Sequence, residues 1–589
     1  MSEFHFSPRP NRAGEIAWRA WSREAFDEAR AADKPVLLSL SAVWCHWCHV
    51  MDETSYSDPG VIDKINAAFI PVRVDADQRP DINARYNAGG WPTTAFLAPD
   101  GEILTAQTYV PPDGMRSVIE IVLDAYGNRR DEITAAIAQR RERRASAPLE
   151  RTNAQIDESI LRTARASVED AFDEDYGGFG SEPKFPHIDV LEFTALEYER
   201  THDARLERIL SATLSAMARG GMYDHIEGGF FRYSTTRDWS VPHFEKMAED
   251  HAGFIRLYAW AWRVLGLSSL RETLVSTIAY VRTTLRDPRT GLFAGSQDAD
   301  ETYYSLPLEQ RRTMAAPYID RTSYTNWSAA LGGAFTVAGA ALDDDALVAE
   351  GLQTLDTIAG SLLDEDGLCY HFLPPGGRPT LRGQLTDQAS YLRALLDAYD
   401  VCGEPRLLAR AKTLAQTILL VFSQADDTLA DHVTDEPLGL LVSAAAPLPE
   451  NATVANALLR LGVILQDDSS TDRALRILRA FVPRYAGYRT FAAPYASAVA
   501  RALYGGSSVT IVGAPQATSA FREVARRLPD PLLVAATFAP DDPLVRERGL
   551  AAQTPVAYLC HGRLCGAPVH DAANLRDAFD MLHAAQSGR

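Results

Sequence analysis

Trp44-Cys-His-Trp-Cys-His49 and, further along, Gly89-Gly-Trp-Pro-Thr93 are the stretches that decide how this chain is read. Two cysteines separated by two residues form a centre for thiol–disulfide exchange: one thiolate attacks, and the other resolves the mixed disulfide. Just upstream, Pro35-Val-Leu-Leu-Ser-Leu-Ser41 is a short apolar run with β character. Just downstream, His46 to Tyr56 reads as helix. Cys45 then falls at a helix N-terminus, where unpaired N–H groups and the macrodipole favour a thiolate. Cys48, one turn in, reads as the more buried resolving thiol. Protonated His46 and His49 would lower the Cys45 pKa further.

Phe69 to Asp75 reads as a second strand, Pro80 to Tyr86 as a short helix, and Thr93 to Leu97 as a third strand ending at the Pro99-Asp-Gly101 turn. This order, with Pro92 opening the strand that walls the dithiol, is that of a thioredoxin-like fold, and a cis Trp91–Pro92 bond is expected. Cys45, Cys48 and Pro92 are the expected catalytic set, with Trp44, His46, Trp47, His49 and Trp91 around it as substrate contacts. Two rival readings exist. Cys45-x-x-Cys48-His49 also matches a c-type haem attachment site, but that needs export, and Met1 to Trp18 has no apolar core of a signal peptide. A zinc site would need distant ligands, because no second Cys-x-x-Cys lies nearby. No cofactor and no metal is assigned.

The 589 residues suffice for several domains, and 46% hydrophobic with 23% charged residues is an ordinary globular composition. No apolar run reaches membrane-spanning length. A formal charge of −20 argues against nucleic acid, and the one basic run, Gln139-Arg-Arg-Glu-Arg-Arg144, reads as a solvated linker helix. Cysteines occur only at 45, 48, 369, 402, 560 and 565, which is no secreted disulfide framework, so a reducing cytoplasm is expected. Cys369 and Cys402 read as small buried hydrophobes. The Cys560 and Cys565 pair reads as ordinary thiols by default; a disulfide, an electron relay or metal ligands are the alternatives.

Between about 154 and 505 the chain reads as twelve amphipathic helices, starting near Ala154, Ile188, Ala204, Pro242, Ser268, Thr325, Asp344, Thr386, Glu404, Asn451, Thr471 and Pro494. Links after even helices are a few polar residues. Links after odd helices are long and rich in Gly, aromatic and charged residues, as in 176–180, 223–239, 291–304, 368–385, 430–450 and 485–491. Alternating link lengths put every long loop at one end of the array. A closed double ring fits this better than an open superhelical solenoid. From Ser507 strands return, with Val509-Thr-Ile-Val-Gly513 first. The expected fold is therefore a thioredoxin-like domain over 1–145, an (α/α)6 toroid over 150–505 and a small α/β subdomain over 506–589.

Trp44 to Met51, with Val74-Asp75, Arg79-Pro-Asp81, Gly89-Gly-Trp-Pro92 and Pro99-Asp-Gly101, resembles the thioredoxin-fused six-hairpin family that includes spermatogenesis-associated protein 20. Gly177-Gly-Phe-Gly180, Pro183-Lys-Phe-Pro186, Gly228-Gly-Phe230, Arg232-Tyr233, Val241-Pro-His-Phe-Glu-Lys-Met247 and Asp298-Ala-Asp300 carry the resemblance into the helical part. Ala248 to His251, Glu301 to Asn326 and Pro447 to Asn451 depart from the family pattern. The resemblance implies a toroid related to sugar-processing, six-hairpin glycosidase-like enzymes and no settled reaction.

Pro242 reads as the first residue of a helix, which puts His243 and Glu245 in its first turn as a candidate acid–base pair. His225, Asp250, Asp298 and Asp300 are expected to converge with them at the mouth, beside Arg232. Lys184 is expected to ion-pair with a mouth carboxylate, and Phe179, Phe185, Tyr223, Phe230, Tyr233 and Trp239 to stack on sugar rings. The alternative is structural: the aspartates cap helices and His243 is a satisfied core histidine. Three functions follow from the sequence. The first is a thiol–disulfide oxidoreductase acting on a protein or small-molecule disulfide or thiol. The second is a carbohydrate-active toroid with a regulatory thioredoxin module, and the third a non-catalytic redox-responsive scaffold. Neither nucleic acid nor membrane is an expected partner.

Overall fold

The computed structural model describes residues 4–145, 151–514, 516–550, 555–562 and 564–586. Residues 146–150, just after the basic run, lie outside the described residues, as does Arg563 between the last two cysteines. The first sheet has the order β2-β1-β3-β4, from β1 (Val36–Ser41), β2 (Ile70–Asp75), β3 (Thr93–Leu97) and β4 (Ile103–Gln107). β1 is central, parallel to β2 and antiparallel to β3. Both of its faces are covered, which is why it reads as a continuous apolar run rather than an alternating one. Val36, Leu38 and Leu40 enter one core with Phe26 of α1 (Arg23–Ala32). Leu37 enters the other, with Met51, Ile65, Phe96 and Ile119.

α2 (His46–Glu53) starts on Cys45 and stops where Thr54 leaves the helical basin at φ −112°, ψ −84°. One tighter turn, Ser55–Ser57, follows, so the helix is shorter than the expected 46–56. Asp58 caps α3 (Pro59–Ala68) by accepting the Val61 N–H, with Pro59 in the first turn. α4 (Pro80–Tyr86), α5 (Pro112–Asn128) and α6 (Arg130–Ala145) complete this part. The basic run lies near the end of α6, where Arg141 and Arg144 both bond Glu102.

From α7 (Glu158–Ala171) the chain is helical. α8 (Ile188–Thr201), α10 (Ala248–Leu265), α14 (Thr325–Leu342), α16 (Leu385–Cys402), α18 (Leu448–Leu465) and α20 (Ala493–Tyr504) pack in that order, and α20 returns to α8. This closed inner ring excludes the open solenoid. α7, α9 (Ala204–Arg219), α11 (Ser268–Tyr280), α15 (Asp345–Ser361), α17 (Pro405–Phe422) and α19 (Asp468–Phe481) lie outside it, and short helices α12 (Glu301–Tyr304) and α13 (Leu308–Arg311) sit in the α11–α14 loop. The sequence separates the rings: α14 is buried almost all round through Ala329, Gly332, Gly333, Ala334 and Ala338, whereas α19 carries one stripe of Ala474, Ile477, Leu478 and Phe481.

The short links have a common cause. The inner helices α8, α10, α14, α16 and α18 end on left-handed residues, His202, Gly266, Asp343, Gly403 and Gln466, which reverse the chain at once into an outer helix. The long links begin with a repeated turn. Asp173 N–H bonds Gly178 O at 2.9 Å and Gly177 N–H bonds Asp173 O at 2.8 Å. Asp224 with Gly228 and Gly229, and Asp287 with Gly291 and Leu292, repeat the pattern.

The last part is a sheet of the strands Ser507–Val512, Val534–Phe538, Val556–His561 and Leu564–Cys565, flanked by the helices Ser519–Ala525 and Leu575–Gln586. Cys560 and Cys565 face each other across paired strands and form a disulfide, which corrects the reading of two ordinary thiols. Cys369 is buried and Cys402 half-buried, both free. None of the described helices is long and apolar enough to cross a membrane.

The thioredoxin-like part docks on the loop end of the toroid. Leu438 and Leu441, from the α17–α18 loop, enter the core beneath β1. Arg85 pairs with Asp431, and Tyr86 OH accepts the Leu440 N–H at 2.8 Å. His371 bonds the Asp77 carbonyl through Nε2 at 2.7 Å. At the tightest crossing a Cβ on Gly101, at φ +86°, would overlap the Cα of Gly439, so the two backbones require glycine there.

Candidate functional site

The docking surface is the face that carries the dithiol. Cys45 caps α2 and accepts the Cys48 N–H on its sulfur at 3.1 Å, the contact that holds a thiolate in the reduced form. Cys45 and Cys48 are joined, the Trp91–Pro92 bond is cis, and a second cis bond joins Glu182 to Pro183. Cys45 is 3% exposed and Cys48 2%, and both pack in the same apolar cluster as the toroid core. Cys48 is expected to be the more buried thiol, but the two are enclosed alike, because the toroid loops roof the dithiol.

Arg232, from the α9–α10 loop, forms the roof over the tryptophans. Its guanidinium carbon lies 4.0 Å from the Trp44 ring centre and 5.1 Å from that of Trp91, and the two indoles meet edge-on at 5.6 Å. Beside them runs a file of rings that crosses the junction. Phe185 stacks on Tyr233 at 4.7 Å, Tyr233 on His243 at 4.8 Å, and His243 meets His46 at 5.9 Å. His46 meets Trp47, which is 46% exposed and is the outermost member of the dithiol motif.

His243 and Glu245 are brought to the junction on a different element from the one expected. Pro242–His243 is a strand paired with Tyr233–Ser234, Lys246–Met247 pairs with Ser296–Gln297, and α10 begins only at Ala248. Proline fits here because it opens an edge pair and has no N–H to place. His243 Nδ1 lies 2.5 Å from the buried Glu245 Oε2, which fixes the tautomer and leaves Nε2 as the basic nitrogen.

His49 donates through Nε2 to the Val43 carbonyl at 3.0 Å, which leaves Nδ1 facing Asp298 Oδ2 at 3.7 Å. Burial, with His5 next, lowers the His49 pKa to about 4. Burial raises Asp298 to about 8, although it accepts the Ala299 N–H. At neutral pH the pair is a neutral imidazole and a protonated acid. His49 is therefore not the cation that the sequence reading used to lower the Cys45 pKa.

The mouth holds more acids than the sequence singled out. Trp44 Nε1 donates to Asp77 Oδ2 at 2.6 Å, and burial raises Asp77 to about 7. In the first turn of α10, Asp250 is pushed up to about 7 by enclosure and then by Glu249, against Arg232. One Asp250 oxygen is buried with no hydrogen-bond partner, as are Trp91 Nε1 and Asn326 Oδ1. Enclosure likewise raises Glu249, Asp189 (to about 6) and Glu450 (to about 7), with Glu249 adding repulsion to the last two. Glu249, Asp189 and Glu450 lie in the first turns of inner helices, a place legible from the hairpin pattern. Asp77 could have been found from the Asp-Ala-Asp77 that ends β2.

Three expected members do other work. Lys184 is fully buried, donating to Asp173 at 2.6 Å and to Gly177 O at 2.7 Å; Lys246 makes the same pair of bonds to Asp224 and Gly228 O. Both lysines lock the repeated Asp–Gly turn, so Lys184 is structural. His225 is exposed and its Nε2 meets the Gly220 carbonyl. Asp300 caps α12 by accepting the Tyr303 N–H. Of the aromatics, Trp239 and Phe230 are buried packing residues, whereas Phe185 and Tyr233 face the junction.

Residues 9–143 match a family model described as Thioredox_DsbH, protein of unknown function, DUF255. Spermatogenesis-associated protein 20 of Rattus norvegicus is 32% identical over 311 residues, covering 48% of this chain and 39% of that protein. The chain thus spans well under half the length of that relative. The thiol:disulfide interchange protein DsbD of Pseudomonas fluorescens is 31% identical over 80 residues, 13% of this chain and 14% of that protein. A solved D-mannose isomerase is similar with TM-score 0.48 and 12% identity, over 59% of this chain and 96% of that one. A thioredoxin-like sheet bearing Cys45 and Cys48 is thus set on a closed six-hairpin ring, in a chain that is similar to the Thioredox_DsbH model over residues 9–143 and to spermatogenesis-associated protein 20 over 311 residues.

Proposed function

We propose that the protein is a thiol–disulfide redox protein whose Cys45–Cys48 pair works inside a composite mouth shared with the toroid. The observation that carries this is the burial of both sulfurs beneath toroid loops, with Arg232 on the flanking tryptophans. A folded protein cannot lay a strand along the Pro92 edge while that roof is in place, so the substrate is a small-molecule disulfide or thiol. In the reductive direction the Cys45 thiolate attacks one substrate sulfur and expels the other half as a thiolate. Cys48 then attacks Cys45 Sγ, leaving the Cys45–Cys48 disulfide and two substrate thiols. The scarcity of cysteines fits a reducing cytoplasm as the setting. Pre-reduced protein should reduce one equivalent of a low-molecular-weight disulfide, releasing two thiols and ending with Cys45–Cys48 oxidised, and should leave insulin intact; Cys45→Ser should abolish the reaction. Equal rates on insulin would overturn the composite mouth, and no reaction with either would overturn the redox function.

A second reading rests on the His243–Glu245 pair beside Asp250: a base of fixed tautomer next to an acid titrating near neutrality suits proton transfer on a sugar. A panel of mono- and disaccharides should then raise the melting temperature of wild type and not of His243→Asn. No shift with any sugar would remove this reading.

A further inference from the structure

A second convergence of donor atoms lies away from the mouth, in the C-terminal sheet. Asp530 stands in the loop before the strand Val534–Phe538, His561 ends the strand Val556–His561, and His583 lies in the last helix, Leu575–Gln586. One ligand atom from each, a carboxylate oxygen and two ring nitrogens, lies within 4.8 Å of the other two, and all three residues are half-buried. Their focus is Ser507, the first residue of the central strand. Its hydroxyl is 3.2 Å from His561 Nδ1 and 3.0 Å from His583 Nε2, and its N–H donates to Asp530 Oδ2 at 2.6 Å.

We propose that Asp530, His561 and His583 bind one divalent transition-metal ion of the zinc type, with the Ser507 hydroxyl or water completing the shell. Two imidazoles and one carboxylate suit zinc and its first-row neighbours, whereas magnesium and calcium favour oxygen-only sets. The donors are held from behind. The other Asp530 oxygen accepts the Leu532 N–H at 2.9 Å, and the Phe579 ring packs on His583 at 4.1 Å. Such support fixes ligand direction before the ion arrives. The ion ties a loop, a strand end and the last helix together, so binding stabilises this part of the fold by mass action. No sequence motif announces the site, because its ligands come from three separated elements.

The test uses untagged full-length protein, stripped with a chelator and dialysed, then titrated with zinc chloride by calorimetry and with cobalt chloride by visible absorption. One saturable site is expected, with a cobalt spectrum of low coordination number. Asp530→Asn, His561→Asn and His583→Asn should each weaken binding about 100-fold, while His243→Asn, at the His–carboxylate pair of the mouth, leaves it unchanged. Should a variant fail to fold, wild-type protein decides the matter. Zinc should protect His561 and His583 from diethylpyrocarbonate in peptide mass maps and should raise the melting temperature. Absence of saturable binding, unchanged affinity in the three variants, or undiminished labelling of both histidines would each overturn the site.

Discussion

The two disulfides of this chain have the same bond and opposite surroundings. Cys45–Cys48 closes the first turn of a helix and lies under the loops of another part of the molecule, whereas Cys560–Cys565 bridges two strands at an open edge where Cys565 is exposed. The pair with the sequence signature of reactivity is the less accessible one. The helix start and the adjacent N–H group are local devices that tune a sulfur. Whether a reagent reaches that sulfur is decided by loops distant in the chain.

The comparison can be broken most directly by kinetics. With a water-soluble phosphine under native conditions, Cys560–Cys565 should be reduced about 1,000-fold faster than Cys45–Cys48. That ratio corresponds to an opening cost of about 4 kcal/mol for the roof. Differential alkylation and mass mapping measure both rates, and equal rates would show that the roof does not restrict access.

A smaller effect sharpens the cause. Arg232→Ala removes two cation–π contacts, together worth about 1–2 kcal/mol in an enclosed setting. Reduction of Cys45–Cys48 should accelerate about 10-fold in this variant, with the Cys560–Cys565 rate unchanged as the internal control.

The smallest effect is on pH dependence. Asp77, Asp250 and Asp298 hold their protons to about 7, 7 and 8 in the fold, against about 4 in the unfolded chain. The folded state therefore binds more protons in that window, and stability falls as pH rises. His49, lowered to about 4, acts in the opposite sense, but only below its unfolded value near 6.5. Between pH 6.5 and 8 His49 no longer opposes the acids, and His371, raised against the effect of burial by Asp387, acts in the same sense as they do, so the melting temperature should fall across that interval. Asp298→Asn should flatten the slope, because its carboxyl titrates highest of the three.

Much of the architecture was legible in local pattern. The strand before the dithiol, the helix on Cys45, the cis bond at Pro92 and the hairpins inferred from alternating link lengths all follow from apolar period, caps and turn residues. The docking was not, because it rests on pairs such as Arg85 with Asp431 and Asp77 with His371, which share no period or spacing. The start of α10 was misplaced for a related reason. Proline at a helix start and proline at an edge strand look alike until the partner Tyr233–Ser234 is known. The sequence pairs Lys184 with a mouth carboxylate, and its equivalence to Lys246 emerges only from the repeated turn that both residues lock.

The crossing of Gly101 and Gly439 carries one more consequence. A methyl group on Gly101 would overlap the Gly439 Cα and one on Gly439 would overlap the Tyr86 hydroxyl, so either acts as a wedge that would prise the thioredoxin-like part off the ring without touching a sulfur. Gly439→Ala is thus a way to lift the lid while leaving every reactive group in place, from a loop more than half the chain away from the turn it presses on.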